Sequence, residues 1–524
     1  MTPGAGAQPG ELSPADGSGP PELLAYPSAR GRWVVAAMIM GSSVAGIDST
    51  VVAVALPAIG RNLHVGFQAL QWTVTSYTLT LASLILLAGS LSDRWGRRRV
   101  FLAGLGWFTV ASVLCAAAPG IGWLIAARAV QGIGGALMTP ASLAIIEAAF
   151  RPGDRTRAIG IWAGFSGVSA ATAPFLGGWL LEAGTWRAIF LINVPVAAVA
   201  AWVTRRHVPE SRDTSASGSA DWPGALAGVV ALATITYAII VLPGAGVRSP
   251  QFAAAAVLAV VSSAAFVVIE RRGNHPMLPP AIFAPAQFRA ANAVTFVVNG
   301  ALGGFAFVFI PALEIIAGYS PVVAGSALVP VTVMTLLLSG ASGRLAQRIG
   351  PRPLVVAGCL VCAVASMLAV RIGSHAGYWT AVFPLAVLFG LGLASLIPPL
   401  TASAMSSAPD SLAGLASGVN NAVARVAGLL WIAALPPITG LTGAVYADPA
   451  QFRSSFAQIS WICAAAFACA AVIAATFITG PRPTPASGTA LIQTPVPHLA
   501  CPVAFGHAPG QSRRPDSSPG SDPA

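Results

Sequence analysis

The chain has 524 residues, of which 55% are hydrophobic and only 9% charged, with a formal net charge of +11. Soluble domains carry about a quarter charged residues, so the expected solvent for this much apolar surface is lipid. All 28 Lys-plus-Arg positions are Arg, and a phosphate-binding loop ending in Gly-Lys-Ser/Thr is therefore excluded, together with an ATP-driven pump of the usual kind. The Arg residues sit at the ends of apolar runs, not in a stripe interleaved with aromatics, so nucleic acid is not an expected partner.

Residues 1–28 are rich in Pro, Gly, Ser and Ala without periodicity and read as a disordered cytoplasmic tail. The apolar run that follows is too long for a cleaved signal peptide and contains Asp48. Fourteen membrane-spanning helices are expected, at about 33–57, 70–90, 100–118, 122–146, 158–181, 186–203, 222–243, 251–269, 289–312, 323–341, 353–371, 379–402, 413–435 and 457–479. The expected organisation is a six-helix bundle over 29–206, a linker with two extra transmembrane helices over 207–288, a second six-helix bundle over 289–480 and a disordered cytoplasmic tail over 481–524. With the amino end in the cytoplasm, 21 Arg fall on the cytoplasmic side and five on the other, so both termini are expected inside the cell membrane.

A weak internal repeat supports the two-bundle reading. Gly89, Leu91, Arg94 and Gly96 match Gly343, Leu345, Arg348 and Gly350, and Gly132, Gly134, Ala136 and Pro140 match Gly390, Gly392, Ala394 and Pro398 at nearly the same offset. Transporters are commonly built this way, with the substrate site near the midplane between the repeats.

Several residues in the spans carry candidate chemistry. Asp48 lies well inside the first span, where an unpaired carboxylate costs on the order of 3 kcal/mol; it is a candidate to carry a coupling proton, the alternative being a structural hydrogen bond or ion pair. Arg128, early in the fourth span, shares a helix face with Gln131 and Gly132 and is either its partner or a structural counter-ion. The fifth span presents Gly164, Gly167, Pro174, Gly177 and Gly178, a small-residue face with a helix breaker that suits a gate or simply close packing. Between the second and third spans, Gly89 and Gly96 are expected to allow a tight turn, Asp93 to pair with an Arg or cap a helix, and Arg94 and Arg97 to face anionic lipid. Glu314, at the outer end of the ninth span, either relays protons and attracts cations or is a wetted loop residue. Asn299, Asn420, Asn421 and Arg425 line the path through the second half or bond helices together. The six cysteines read as small apolar packing residues, the Cys359–Cys362 pair included.

The stretches Asp48-Ser-Thr50 to Pro57, Gly89 to Arg98, the Arg128 helix, Thr185-Trp186-Arg187 to Pro195, Asp221-Trp222-Pro223-Gly224 and Gly318-Tyr319-Ser320-Pro321 resemble the major facilitator superfamily, within it the fourteen-helix drug:proton antiporter branch. The resemblance implies an all-α membrane protein with the major facilitator fold, two six-helix bundles plus two inserted helices. It also implies alternating access driven by the proton gradient, with no prosthetic group, metal or enzymatic residues. Through it, Asp93, Arg94 and Arg97 become elements of a conformational lock, and Arg128, with Gln131, Gly132 and Gly134, an element of proton transfer. Trp162, Phe305 and Gln131 join the candidate substrate path. The antiporter signature usually has Gly before the Pro in the fifth span, where this chain has Ala173-Pro174. The implied activity is export of hydrophobic or cationic drugs or a secondary metabolite, by a monomer whose partners are a small molecule, protons and the bilayer. Its rivals are an exporter or importer of one specific metabolite and a non-transporting membrane sensor or scaffold.

Overall fold

Away from water, a long apolar segment satisfies its backbone N–H and C=O groups within itself, as a helix. The computed structural model describes residues 23–212, 221–273, 276–374, 376–408, 413–441 and 448–479. Among these residues every regular element is helical, and the one β feature is an isolated bridge between Leu24 and Phe150. In chain order the α-helices are α1 (Ala29–Leu63), α2 (Phe67–Trp95), α3 (Arg97–Ala116), α4 (Ile121–Ala149), α5 (Pro152–Ala183), α6 (Ala188–Leu191), α7 (Asn193–His207), α8 (Trp222–Ala245), α9 (Pro250–Arg272), α10 (Ala286–Ile315), α11 (Pro321–Ser326), α12 (Val329–Ile349), α13 (Pro351–Ala369), α14 (Phe383–Met405), α15 (Ala413–Ile438) and α16 (Pro449–Phe477).

Two expected spans are interrupted. The 186–203 span divides into α6 and α7, and the 323–341 span into α11 and α12. Each break stands just before a proline, Pro195 or Pro330, which has no N–H to donate back into the preceding turn. Counting each divided pair once, 13 described helices are long and apolar enough to cross a membrane. The expectation was fourteen; the 158–181 segment lies in α5, a helix of 32 residues that is not among the 13. The amino-terminal tail also ends earlier than composition suggests. Leu24 donates its N–H to the Ala149 carbonyl at 2.8 Å, Tyr26 donates its N–H to Asp154 Oδ2 at 3.0 Å, and Ser28 Oγ caps α1 by accepting from Gly31. Residues 1–22 and the expected tail at 481–524 lie outside the described residues.

The internal repeat is visible as matched helix contacts. A Cβ on Gly132 would stand 2.4 Å from the Tyr77 carbonyl of α2, and one on Gly390 would stand 2.6 Å from the Val331 carbonyl of α12. Two residues on, a Cβ on Gly134 would stand 2.7 Å from the Phe108 backbone of α3, and one on Gly392 would stand 2.9 Å from the Gly358 carbonyl of α13. In each half, one glycine pair thus lets α4 or α14 lie backbone-to-backbone against two neighbours, the packing that works in lipid, where apolar side chains gain little by leaving the solvent. The helix junctions match as well: Gly96 (φ 104°) and Gly350 (φ 87°) both take the left-handed backbone that a tight junction needs. Gly89, by contrast, lies within α2 and makes no turn; its Cβ position is 3.8 Å from Pro140 of α4.

The two halves, α1–α7 and α10–α16, meet through α2 against α15 and α5 against α11 and α12, pairings that the repeat makes equivalent. The joints lie toward the face opposite the Arg-bearing loops. There Gln71 Nε2 donates to the Ile432 and Ala433 carbonyls at 2.7 and 2.9 Å, and the Phe67 and Phe307 rings are 5.7 Å apart. A Cβ on Gly178 would be 2.5 Å from the Pro321 carbonyl, and one on Gly325 would be 2.3 Å from that of Pro174. An apolar core runs across both halves at this far face, joining Leu56, Phe67 and Ala173 to Phe307, Ala324 and Leu435. Toward the Arg-rich face the cores separate, one around Phe101, Phe108 and Ile145 and a smaller one around Phe288 and Val419. Helices α8 and α9 pair with each other, and α8 packs on α2 and α15.

Replacing Gly134 by Leu forces a side chain into backbone at 2.7 Å, whereas Gly106 of α3 has nothing within 4 Å. Overpacking of this kind costs about 1–3 kcal/mol. The expected outcome is a lower melting temperature of the purified protein for Gly134→Leu and an unchanged one for Gly106→Leu, read by tryptophan fluorescence.

Candidate functional site

Five helices of the first half contribute to one buried network around a carboxylate–guanidinium pair. Asp48, midway along α1, and Arg128 of α4 are each 1% exposed, and Arg128 Nη1 donates to Asp48 Oδ2. Asp48 Oδ1 accepts from Gln131 Nε2 at 2.9 Å and from Asn193 Nδ2, at the start of α7, at 3.0 Å. Arg128 Nη1 also donates to Gln131 Oε1 at 2.6 Å, and Arg128 Nε donates to the Thr73 carbonyl of α2 at 3.1 Å. Ser112 Oγ of α3 accepts from Gln131 Nε2 at 2.9 Å and from Asn193 Nδ2 at 3.3 Å. The guanidinium lies 4.3 Å from the centre of the Tyr77 ring and 5.8 Å from that of Phe190. A charge pair withdrawn from water persists only if its remaining lone pairs and protons are also matched, and the amides of Gln131 and Asn193 do that here.

Asp48 and Arg128 are therefore brought together. Gln131, expected on the substrate path, instead holds this pair, because its position three residues after Arg128 puts both on one face of α4. Asn193, Ser112 and Thr73 were not among the sequence candidates. The signal for Asn193 was an amide inside an apolar run; Thr73 takes part through its backbone carbonyl, which no sequence reports. Cys115, buried as expected of a packing residue, also points its thiol at Gln131 Oε1 at 3.6 Å.

Beside this network, between the halves, is a cavity of about 470 Å³. Ser49, Thr50 and Thr78 face it from the first half, and Asn299, Asn421 and Arg425 from the second. The candidates divide here. Asn299, Asn421 and Arg425 reach the cavity; Asn420 does not, and its Oδ1 accepts from Thr295 Oγ1 within the second half. Phe305 is 4% exposed and stacks with Phe309 and Phe389 at 5.2 Å, in the core and off the path. Phe307, two residues and roughly 200° further around the helix, lines the cavity instead. Trp162 donates its Nε1–H to Ser42 Oγ at 3.0 Å and braces α5 on α1. Pro174 sits in an unbroken α5, and Gly177 and Gly178 pack against Val51 and residues 321–322. A Cβ on Gly164 would stand 4.0 Å from Leu336 of α12, and Gly167 lies in α5 with it. Glu314 is partly buried in the last turn of α10, and among the described residues its Oε1 has no hydrogen-bond partner.

The junction of α2 and α3 carries a separate set of contacts. Arg97 pairs with Asp93 at 2.9 Å and donates to the Ala144 carbonyl of α4 at 3.3 Å. Arg94 lies in the last turn of α2. Glu210, beyond α7, was not anticipated: its Oε1 accepts from the Arg98 backbone N–H at 3.0 Å at the start of α3, where a carboxylate meets the positive end of the helix dipole. A Cβ on Gly96 would be 2.7 Å from the Glu210 carboxylate, so glycine there serves both the turn and this contact.

Removing one partner of a buried ion pair costs about 3–5 kcal/mol because the other charge is stranded. Asp48→Ala and Arg128→Ala are each expected to lower the melting temperature of the purified protein sharply. The joint Asp48→Leu/Arg128→Met variant is expected to regain most of that loss, as measured by thermal denaturation.

The sequence model of the Major Facilitator Superfamily matches residues 38–432. The chain is 35% identical over 390 residues to the multidrug resistance protein Stp of Mycobacterium tuberculosis (strain CDC 1551 / Oshkosh), covering 74% of this chain and 72% of that one. It is 34% identical to the puromycin resistance protein pur8 of Streptomyces alboniger, over 80% of this chain and 84% of the relative. It is likewise 34% identical to the tetracenomycin C resistance and export protein of Streptomyces glaucescens, over 78% and 76%. Among solved structures, the peptide transporter POT in complex with sulfate superposes with a TM-score of 0.60 at 14% identity, over 84% of this chain and 94% of that one. A bacterial homolog of the human lysosomal transporter Spinster, in its inward-facing and occupied conformation, gives 0.59 at 16% identity, over 86% and 96%. With the fold, the repeat and these matches in agreement, the chain belongs to the major facilitator superfamily of transporters.

Proposed function

We propose that this protein exports small molecules with a hydrophobic body, drugs or a secondary metabolite, across the cell membrane by alternating access, in exchange for protons. The observation that carries the reading is the Asp48–Arg128 pair sealed behind the wall of a cavity whose lining includes the next two residues, Ser49 and Thr50. Protonating Asp48 removes the attraction that holds Arg128, Gln131 and Asn193 around it, and α1 carries that change directly to the cavity. Relatives named for multidrug and puromycin resistance and for tetracenomycin C export support the direction of transport. Glu314, with a carboxylate oxygen toward the far face that has no partner among the described residues, is the second proton-exchanging group in this scheme. The junction around Asp93, Gly96, Arg97 and Glu210 holds the first half together as it rocks, Arg94 faces the lipid headgroups, and the protein works as a monomer. The Arg-rich loops face the cytoplasm, by the positive-inside rule, which places both termini there.

Expression in a bacterial host lacking its own efflux pumps is expected to raise tolerance to some members of a panel of apolar antibiotics, and a protonophore to abolish the effect. For the compound most affected, uptake into inverted proteoliposomes should follow an imposed pH gradient. Asp48→Asn should reduce gradient-driven flux tenfold or more. Flux indifferent to the gradient, or an Asp48→Asn variant with full gradient response, contradicts the proposal. The orientation is checked with Arg99→Cys, at a position 76% exposed in its side chain, in a variant whose six native cysteines are replaced by Ser; an impermeant maleimide should label it only after the cells are opened.

A further inference from the structure

We infer that the cavity selects substrates bearing an anionic group, which docks on Arg425, over cations of the same size. The inference rests on the transport reading above and names the substrate class of that cavity. Arg425 faces the cavity from α15, and none of the described residues lining it is acidic. Among the described residues Arg425 has no ion pair, while the nearby carboxylate of Asp48 is 1% exposed and already matched by Arg128. The balance of charge at the cavity wall is thus one guanidinium, in surroundings where a fixed charge acts more strongly than in water. A guanidinium offers two parallel N–H donors to a carboxylate, sulfonate or phosphonate. Asn299 and Asn421 stand in the same lining, with amides available to the remaining oxygens of such a group. Apart from the hydroxyls of Ser49, Thr50 and Thr78, the rest of the wall is apolar, with Phe307, Ile310, Leu302 and Ile432 placed to cover a flat hydrophobic body. A cation in this cavity meets a like charge and no acid, which is the repulsive half of a selective site.

The test measures binding of three probes of one shape, 2-naphthoate, 2-naphthamide and 2-naphthylmethylammonium, by equilibrium dialysis against the purified full-length protein in neutral detergent. The expected order is anion, then amide, then cation, with the anion at least tenfold tighter than the cation. Arg425→Gln should bring that ratio close to one, Arg425→Glu should invert it, and Arg425→Lys should keep the anion first. Melting temperatures of the three variants control for folding, and restored preference in Arg425→Lys separates a charge effect from a packing effect. Equal or tighter binding of the cation by the native protein, a ratio unmoved by Arg425→Gln, or no binding of any probe overturns the inference. Anion-selective binding together with flux that ignores the pH gradient leaves this inference standing and removes the proton-coupled reading; gradient-driven flux of cations with no role for Arg425 does the reverse.

Discussion

A carboxylate and a guanidinium held away from water attract each other strongly but tolerate no unmatched atom around them, and the first half of this protein is organised by that constraint. Asp48 and Arg128 are each 1% exposed. Their hydrogen bonds draw in Gln131, Asn193, Ser112 and the Thr73 carbonyl, so that α1, α2, α3, α4 and α7 must keep their mutual depth and rotation. The glycines of α4 make this possible: with Gly132 and Gly134 in place, α2 and α3 approach closely enough for the Thr73 carbonyl and the Ser112 hydroxyl to join the network. Packing and electrostatics are one design here, since a bulkier residue at either glycine would stretch the hydrogen bonds that make the charges tolerable.

The second half repeats the packing without the charges. Gly390, Gly392 and Gly358 bring α12, α13 and α14 together as their counterparts do in the first half. In place of a sealed ion pair, the second half presents Arg425 to the cavity. The asymmetry suits a division of labour in which the sealed proton site belongs to the first half and the charged docking group for the substrate to the second, with α1 and the cavity between them. The shared apolar core at the far face and the separate cores toward the Arg-rich face fit one arrangement of two bodies that rock against each other.

Much of this was legible in the sequence because lipid leaves few options. Apolar runs of helical length fix the number and order of spans to within one, and a carboxylate within such a run demands a partner, which made Asp48 and Arg128 conspicuous. The two copies of the glycine pattern announced the repeat. What stayed hidden depends on rotation about helix axes and on backbone groups. Phe305 and Phe307 are equally aromatic and two residues apart, yet one is in the core and the other in the cavity. Asn420 and Asn421 divide in the same way. Glu210 lies in a loop far in sequence from the α2–α3 junction it caps, and the Thr73 carbonyl that receives Arg128 has no side-chain signature at all.

The central claim is that Asp48 gains and loses a proton during the cycle and that Arg128 reports the change to the rest of the bundle. Infrared difference spectroscopy of the purified protein in lipid, taken between high and low pH, reads the carbonyl stretch of a buried protonated carboxyl directly. The account requires such a band in the native protein, with its Asp48 component identified as the part lost in Asp48→Asn, shifted in Arg128→Lys and retained in Glu314→Gln. A band of undiminished intensity in Asp48→Asn would contradict it.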